Sequence, residues 1–273
     1  MAIQAGPVPM SVELSTGVTL QYVERGDLGG LSVLFLHGAT DSWHSFELLL
    51  PLLPASWRSI AITQRGHGDS SRPAHGYGPS DLVADVAAFQ DALGLDASVI
   101  VGHSFGSIIS QRFAFAYPER TRGLALLATF RNFHDNPAVH EFLEQVISPL
   151  TDPIDPAVAR EFQESTLARP IPADYLETVI AESLKAPARV WRELFTTVVA
   201  TDVERGLDTL AAPTLILWGD QDVYSTRADQ EFFEQTIPDA QLMVYPGYGH
   251  AFHWEDPRMV AADLVAFVED DRC

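Results

Sequence analysis

The 273-residue chain is 47% hydrophobic and carries 37 acidic against 17 basic side chains, a formal net charge of -20. That apolar content suits one large α/β domain with an insertion, and the acidic excess disfavours a phosphate-rich partner, which argues against nucleic-acid binding. The one cysteine, Cys273, cannot form an internal disulfide; residues 1–10 contain no Lys or Arg, unlike a signal peptide; and no apolar run could cross a bilayer, so the expected setting is the cytoplasm.

In chain order, residues 12–14 and 18–24 flank Ser15-Thr16-Gly17 and predict an opening hairpin. Continuous apolar runs follow at 32–36, 59–63, 98–101, 124–128, 214–218 and 242–245. Strands apolar on both faces belong inside a parallel sheet that is covered on both sides. Helical periodicity occupies the intervals at 46–53, 81–93 (with Ser80 as N-cap), 107–117, 227–236 and 258–268.

The alternation breaks over residues 130–208. There the pattern predicts four helices and no strand, at 138–147, 156–168, 173–185 and 187–201, punctuated by Pro153, Pro156, Pro170 and Pro172. A block that long exceeds one crossover connection and reads as a helical lid inserted into a core formed by residues 1–129 and 209–273. There is no internal repeat or low-complexity tract.

The pentapeptide Gly102-His103-Ser104-Phe105-Gly106 falls where the strand at 98–101 meets the helix at 107–117. A sharp strand-to-helix turn projects Ser104 from the sheet, glycines permit the tight approach, and the helix N-terminus directs unpaired N–H groups at the reacting centre. This is the layout of a nucleophilic serine.

Five motifs in order then resemble the α/β-hydrolase fold family of the capped type, which includes carboxylesterases, cofactor-free haloperoxidase-like enzymes and carbon-carbon bond hydrolases. They are Leu36-His37-Gly38, Arg65-Gly66-His67-Gly68-Asp69-Ser70, the Ser104 turn, Trp218-Gly219-Asp220-Gln221-Asp222, and Gly249-His250 followed by Glu255-Asp256-Pro257. The resemblance covers essentially the whole chain. It implies a mostly parallel eight-stranded sheet with helices on both faces and an inserted lid, acting on a small-molecule substrate without a cofactor. No metal-ligand spacing such as H-E-x-x-H is present, and a homo-oligomer is compatible with the family.

The family order of serine, acid and histidine assigns Ser104, Asp222 and His250. His253 is the competing base, expected to pack beneath the following helix, and Asp220 is the competing acid, expected to cap its turn. The backbone N–H groups of Ala39 and Phe105 are the implied oxyanion donors. Trp43, Phe130, Phe133 and Trp191 are candidate pocket aromatics, though each equally suits a core.

Relatives that open epoxides or remove halide carry aspartate where this chain has Ser104, and hydroxynitrile lyases tend to carry lysine where it has Ala251. Gln64 also replaces the aspartate common before the Arg-Gly-His-Gly run, so local hydrogen bonding there should differ. The expectation is a serine hydrolase of a small to medium, largely apolar ester, through an acyl-enzyme. Carbon-carbon or lactone cleavage by the same residues is the runner-up. A slow-turnover ligand receptor is the non-enzymatic alternative.

Overall fold

The backbone of the computed structural model is described for residues 7–131, 137–201 and 203–270. Eight strands form one sheet: β1 (Met10–Glu13), β2 (Thr19–Gly26), β3 (Leu31–Leu36), β4 (Trp57–Ile62), β5 (Ser98–His103), β6 (Thr121–Leu127), β7 (Thr214–Gly219) and β8 (Ala240–Tyr245). Their spatial order is β1-β2-β4-β3-β5-β6-β7-β8. β1 pairs antiparallel with β2, and β2 with β4, while every pairing from β4 to β8 is parallel. Gly17, at φ 81°, closes the expected hairpin.

The apolar runs split by parity, because successive strand side chains point to opposite faces. Leu34, Leu36, Ile100, Leu124, Leu126 and Ile216 enter one core layer, and Val33, Phe35, Val99, Val101, Ala125, Leu127, Leu215 and Leu217 the other. Each fully buried Leu, Ile or Phe contributes about 1.5–3 kcal/mol, so these central strands fix the register of the sheet.

The first layer is covered by α1 (Pro79–Leu93) and α2 (Phe105–Ala116), and the second by α9 (Pro257–Val268). Between β6 and β7 run α3 (Pro137–Phe142), α4 (Pro156–Ser165), α5 (Ala173–Ser183) and α6 (Ala188–Ala200), with no strand among the described residues of the block. α7 (Arg227–Thr236) follows β7, and the short α8 (Phe252–Glu255) precedes α9. No helix among the described residues is long and apolar enough to cross a membrane.

Three local expectations change. The segment expected to be helical over 46–53 forms two 3-10 turns instead, Trp43–Phe46 and Leu50–Leu52, because Pro51 supplies no amide and so short a stretch cannot sustain a helix alone. α1 starts at Pro79 after Gly78 rather than at a Ser80 cap, since the fixed φ of proline suits the first helical position. α4 stops at Ser165, where the Thr166 amide and hydroxyl both turn back to the Gln163 carbonyl, at 3.2 and 2.7 Å.

One buried ion pair ties the loop after β4 to α1. Arg65 Nε and Nη2 each lie 2.5 Å from a different oxygen of Asp85, whose Oδ1 also accepts from Thr16 Oγ1 at 2.6 Å. Removing one partner strands the other charge. Arg65→Met is therefore expected to destabilise the fold by about 3–5 kcal/mol, read as a lower urea midpoint, and the paired replacement of Asp85 by Leu to recover much of that loss.

Candidate active site

β5 runs into Ser104, which stands at φ 52° and ψ -118° as the residue before α2. A non-glycine residue there costs about 1–3 kcal/mol, and the surroundings hold it. The Ser104 amide donates to the Leu127 carbonyl of β6 at 2.9 Å, and its carbonyl accepts from the Ser107 amide at 2.8 Å and the Ser107 hydroxyl at 2.6 Å. A Cβ at Gly102 would strike Ser110 Oγ and the Gly106 carbonyl, and one at Gly106 would strike the Leu36 carbonyl. The motif glycines answer to this crowding.

Past β7, Asp222 collects four donors. The Tyr224 amide (2.7 Å), the Ser225 amide (3.2 Å) and the Ser225 hydroxyl (2.7 Å) orient its carboxylate, and His250 Nδ1 lies 2.7 Å from its Oδ2. Burial alone would push this carboxyl up. The attraction and hydrogen bond of His250, with the Ser225 and Tyr224 donors, outweigh that and hold it below the ordinary carboxylate range. Asp220 instead accepts from the Gly247 amide at 2.6 Å and Gln221 Nε2 at 2.9 Å, as a turn-capping residue does.

The histidine loop is clamped from outside the sheet. Glu255 accepts from the Gly249 amide (3.0 Å) with one oxygen and from the Ala168 and Arg169 amides (2.6 and 3.0 Å) with the other, and the Ala251 amide donates to the Thr166 carbonyl (3.0 Å). The loop after α4 and the loop bearing His250 are thus joined through one carboxylate. Glu255 entered the sequence reading only as a spacing marker.

Ser104 and His250 face one cavity of about 210 Å³, to which Ala39 and Phe105 also contribute. The Phe105 amide heads α2 and so has no intrahelical acceptor, and the Ala39 amide donates to no backbone carbonyl among the described residues. The rest of the wall consists of Phe130, Phe142, Phe162, Phe195 and Tyr224, with several valines and Thr166, and carries no Lys, Arg, Asp or Glu among the described residues. Of the candidate aromatics, Phe130 does line the cavity. Trp191 is buried behind Phe162, at 5.5 Å between rings, Trp43 packs in the second core layer, and Phe133 lies outside the described residues. Phe142, Phe162 and Phe195 went unnoticed because only the folding of separate inserted helices brings them together.

A layer of buried imidazoles backs the site. His253 packs 4.3 Å from the His103 ring, and its Nε2 lies 3.2 Å from Ser45 Oγ, so it sits beneath the loop and not at the cavity. His37 Nε2 accepts the Gln64 amide at 3.0 Å, which makes its Nδ1 the donor to the Gly38 carbonyl at 2.7 Å and braces the turn before Ala39. Gln64 also donates from its side chain to the His37 carbonyl at 2.8 Å, a bond that an ionised aspartate has no hydrogen to make. Burial drives His103 down to about 3 and His67 to about 4, and lowers His37 and His253 strongly. Asp41 was not singled out from the sequence. Burial pushes its carboxyl up to about 6 against the opposing donors Gln163 and Ser45.

Among the described residues, no group of three or more His, Cys, Asp or Glu side chains is arranged to hold a metal ion. The sequence profile of the "Alpha/beta hydrolase family" matches residues 33–263. The chain is 27% identical to 2-(acetamidomethylene)succinate hydrolase of Mesorhizobium japonicum over 92% of both chains, and 23% identical to epoxide hydrolase 4 of Mus musculus over 94% of this chain and 78% of that one. In structure it is similar to an esterase from Exiguobacterium antarcticum, with a TM-score of 0.85, 20% identity and coverage of 96% of this chain and 100% of the other. The chain belongs to the alpha/beta hydrolase family, has its fold, and is a hydrolase.

The buried histidines have a measurable consequence. His67 and His103 stay neutral in the folded state down to about 4 and about 3, whereas in the unfolded chain they take up protons near about 6.5. Stability is therefore lost as pH falls through about 6.5, by up to about 1.4 kcal/mol per pH unit for each such histidine. Asp41, whose carboxyl is raised, opposes this with a single group. Urea titrations at pH 7, 6 and 5 should show the decline, and His67→Gln should make it shallower.

Proposed function

We propose that this member of the alpha/beta hydrolase family is a serine hydrolase that cleaves the ester bond of a small to medium, largely apolar substrate. Ser104 is the nucleophile, His250 the general base, Asp222 the carboxylate that orients it, and the amides of Ala39 and Phe105 the oxyanion donors. Residues 130–208 act as the lid. The observation that carries this reading is that His250, held 2.7 Å from the Asp222 carboxylate, faces with Ser104 a cavity walled by aromatic and aliphatic side chains.

In this reading Ser104 Oγ attacks the ester carbonyl while its proton passes to His250 Nε2, the ring nitrogen opposite the one held by Asp222. The carbonyl oxygen takes the developing negative charge in front of the two amides, where the donors are fixed before the reaction begins. Collapse expels the alcohol, which receives the proton from His250, and leaves an acyl group on Ser104. Water activated by the same imidazole then releases the acid and restores the serine.

The wall favours an uncharged substrate. A succinate carries carboxylates that need cationic or multiple hydrogen-bonding partners, and this cavity offers no Lys or Arg among the described residues. Epoxide opening in this fold is associated, by the resemblance above, with an aspartate at the elbow, where this chain has Ser104. An apolar ester fits both constraints.

Two measurements test the assignment. Ser104→Ala should abolish covalent labelling by a serine-directed phosphonate and reduce kcat for a chromogenic ester by several orders of magnitude in a folded protein. Asp222→Asn should lower kcat by on the order of 10³–10⁴-fold, and Asp220→Asn by only a few-fold, because only the first disturbs the imidazole tautomer. Undiminished turnover by folded Ser104→Ala would refute the mechanism.

A further inference from the structure

Thr40 follows Ala39 at φ 69°, a left-handed conformation that a β-branched residue abandons unless it is held. The side chain is fully buried, and its hydroxyl meets an inserted helix. Thr40 Oγ1 lies 3.3 Å from Ser183 Oγ at the end of α5. The Ser183 hydroxyl donates to the Val179 carbonyl at 3.0 Å, so the Thr40 hydroxyl is the donor between them.

Gln163 of α4 completes the arrangement. Its Nε2 donates one hydrogen to Ser183 Oγ at 2.6 Å and the other to Asp41 Oδ1 at 3.0 Å, while Asp41 Oδ2 accepts from Ser45 Oγ at 3.1 Å. Thr40 and Asp41 are adjacent in the chain, so Thr40, Ser183, Gln163 and Asp41 close a buried polar ring around one peptide bond. Neither Gln163 nor Ser183 lines the cavity. Their polar groups meet the side chains of the two residues that follow Ala39 and do not face a substrate.

We propose that Gln163 and Ser183 are positioning residues through which α4 and α5 hold the Ala39 amide on the oxyanion, by locking Thr40 in its left-handed conformation and fixing Asp41 beside it. The inference rests on the role given to Ala39 under the proposed function. It makes the inserted helices contributors to reactivity as well as walls of the pocket. The physical reason is the narrow range of useful donor geometry: an amide must lie about 2.7–3.1 Å from the developing oxyanion, and a displacement of about 1 Å can cost 10²-fold in rate. A strained turn with no brace relaxes away from that position.

The test uses the full chain with a short chromogenic ester and a serine-directed phosphonate. Gln163→Leu should lower kcat by about tenfold or more with KM changed less than about threefold, and slow phosphonate labelling in parallel. The labelled fraction of Ser104 should still reach the wild-type value at long times. Adding Thr40→Gly to Gln163→Leu should recover several-fold of the lost kcat, because glycine occupies φ 69° without strain. If Gln163→Leu does not fold, Ser183→Ala removes one hydroxyl and carries the same expectation. Unchanged kcat, a rise in KM alone, or a kcat loss that Thr40→Gly leaves uncorrected overturns the proposal. A wild-type protein that the phosphonate does not label takes down the serine-hydrolase reading and this inference with it, whereas labelled wild type beside an undiminished variant overturns this inference alone.

Discussion

The turn at Ser104 is the constraint around which the rest of the molecule is arranged. A left-handed serine between β5 and α2 is unfavourable by itself, and it persists because its amide is bonded to β6, its carbonyl is bonded by Ser107, and two glycines let α2 press against β5 and β3. The central parallel strands must be rigid for this to hold. Their continuous apolar sequence, divided between two core layers, provides that rigidity.

Behind the turn, electrostatics are settled by burial. His37, His67, His103 and His253 are enclosed and held neutral, so the tautomer of each is set by its neighbours: the Gln64 amide fixes that of His37, and so the turn ahead of Ala39. Asp222 is buried too, yet it is held ionised because four donors converge on it. Two enclosed carboxyls, Asp222 and Asp41, therefore depart from ordinary behaviour in opposite directions, and the difference lies in the adjacent imidazole and the number of donors each receives.

Of the hydrogen bonds between the inserted helices and the sheet domain, which include Tyr175 to the His44 carbonyl and Arg189 to the Arg72 and Pro73 carbonyls, two sets reach the loops beside Ser104. Glu255 and Thr166 join the His250 loop to the segment after α4, and Gln163 with Ser183 join the Ala39 loop to α4 and α5. Both loops that flank Ser104 are touched. Apolar contacts alone would leave the block free to slide, whereas directional bonds to buried groups fix it at a particular register.

Much of the core and of the candidate site's layout was legible in the sequence where the signals are local. Strand and helix periodicity and the glycines around Ser104 depend on residues close in the chain, whose steric demands do not wait for the fold, whereas the choice of Asp222 over Asp220 came from the family resemblance. The helix expected at 46–53 failed for an equally local reason, Pro51, which outweighs the apolar period around it. What only the tertiary structure decided is the company each residue keeps. Phe142, Phe162 and Phe195 converge from three segments to wall the cavity, and Asp41 meets Gln163 across 122 positions. Such meetings depend on the angles at which helices pack, and periodicity says which face a residue occupies but not what stands opposite it.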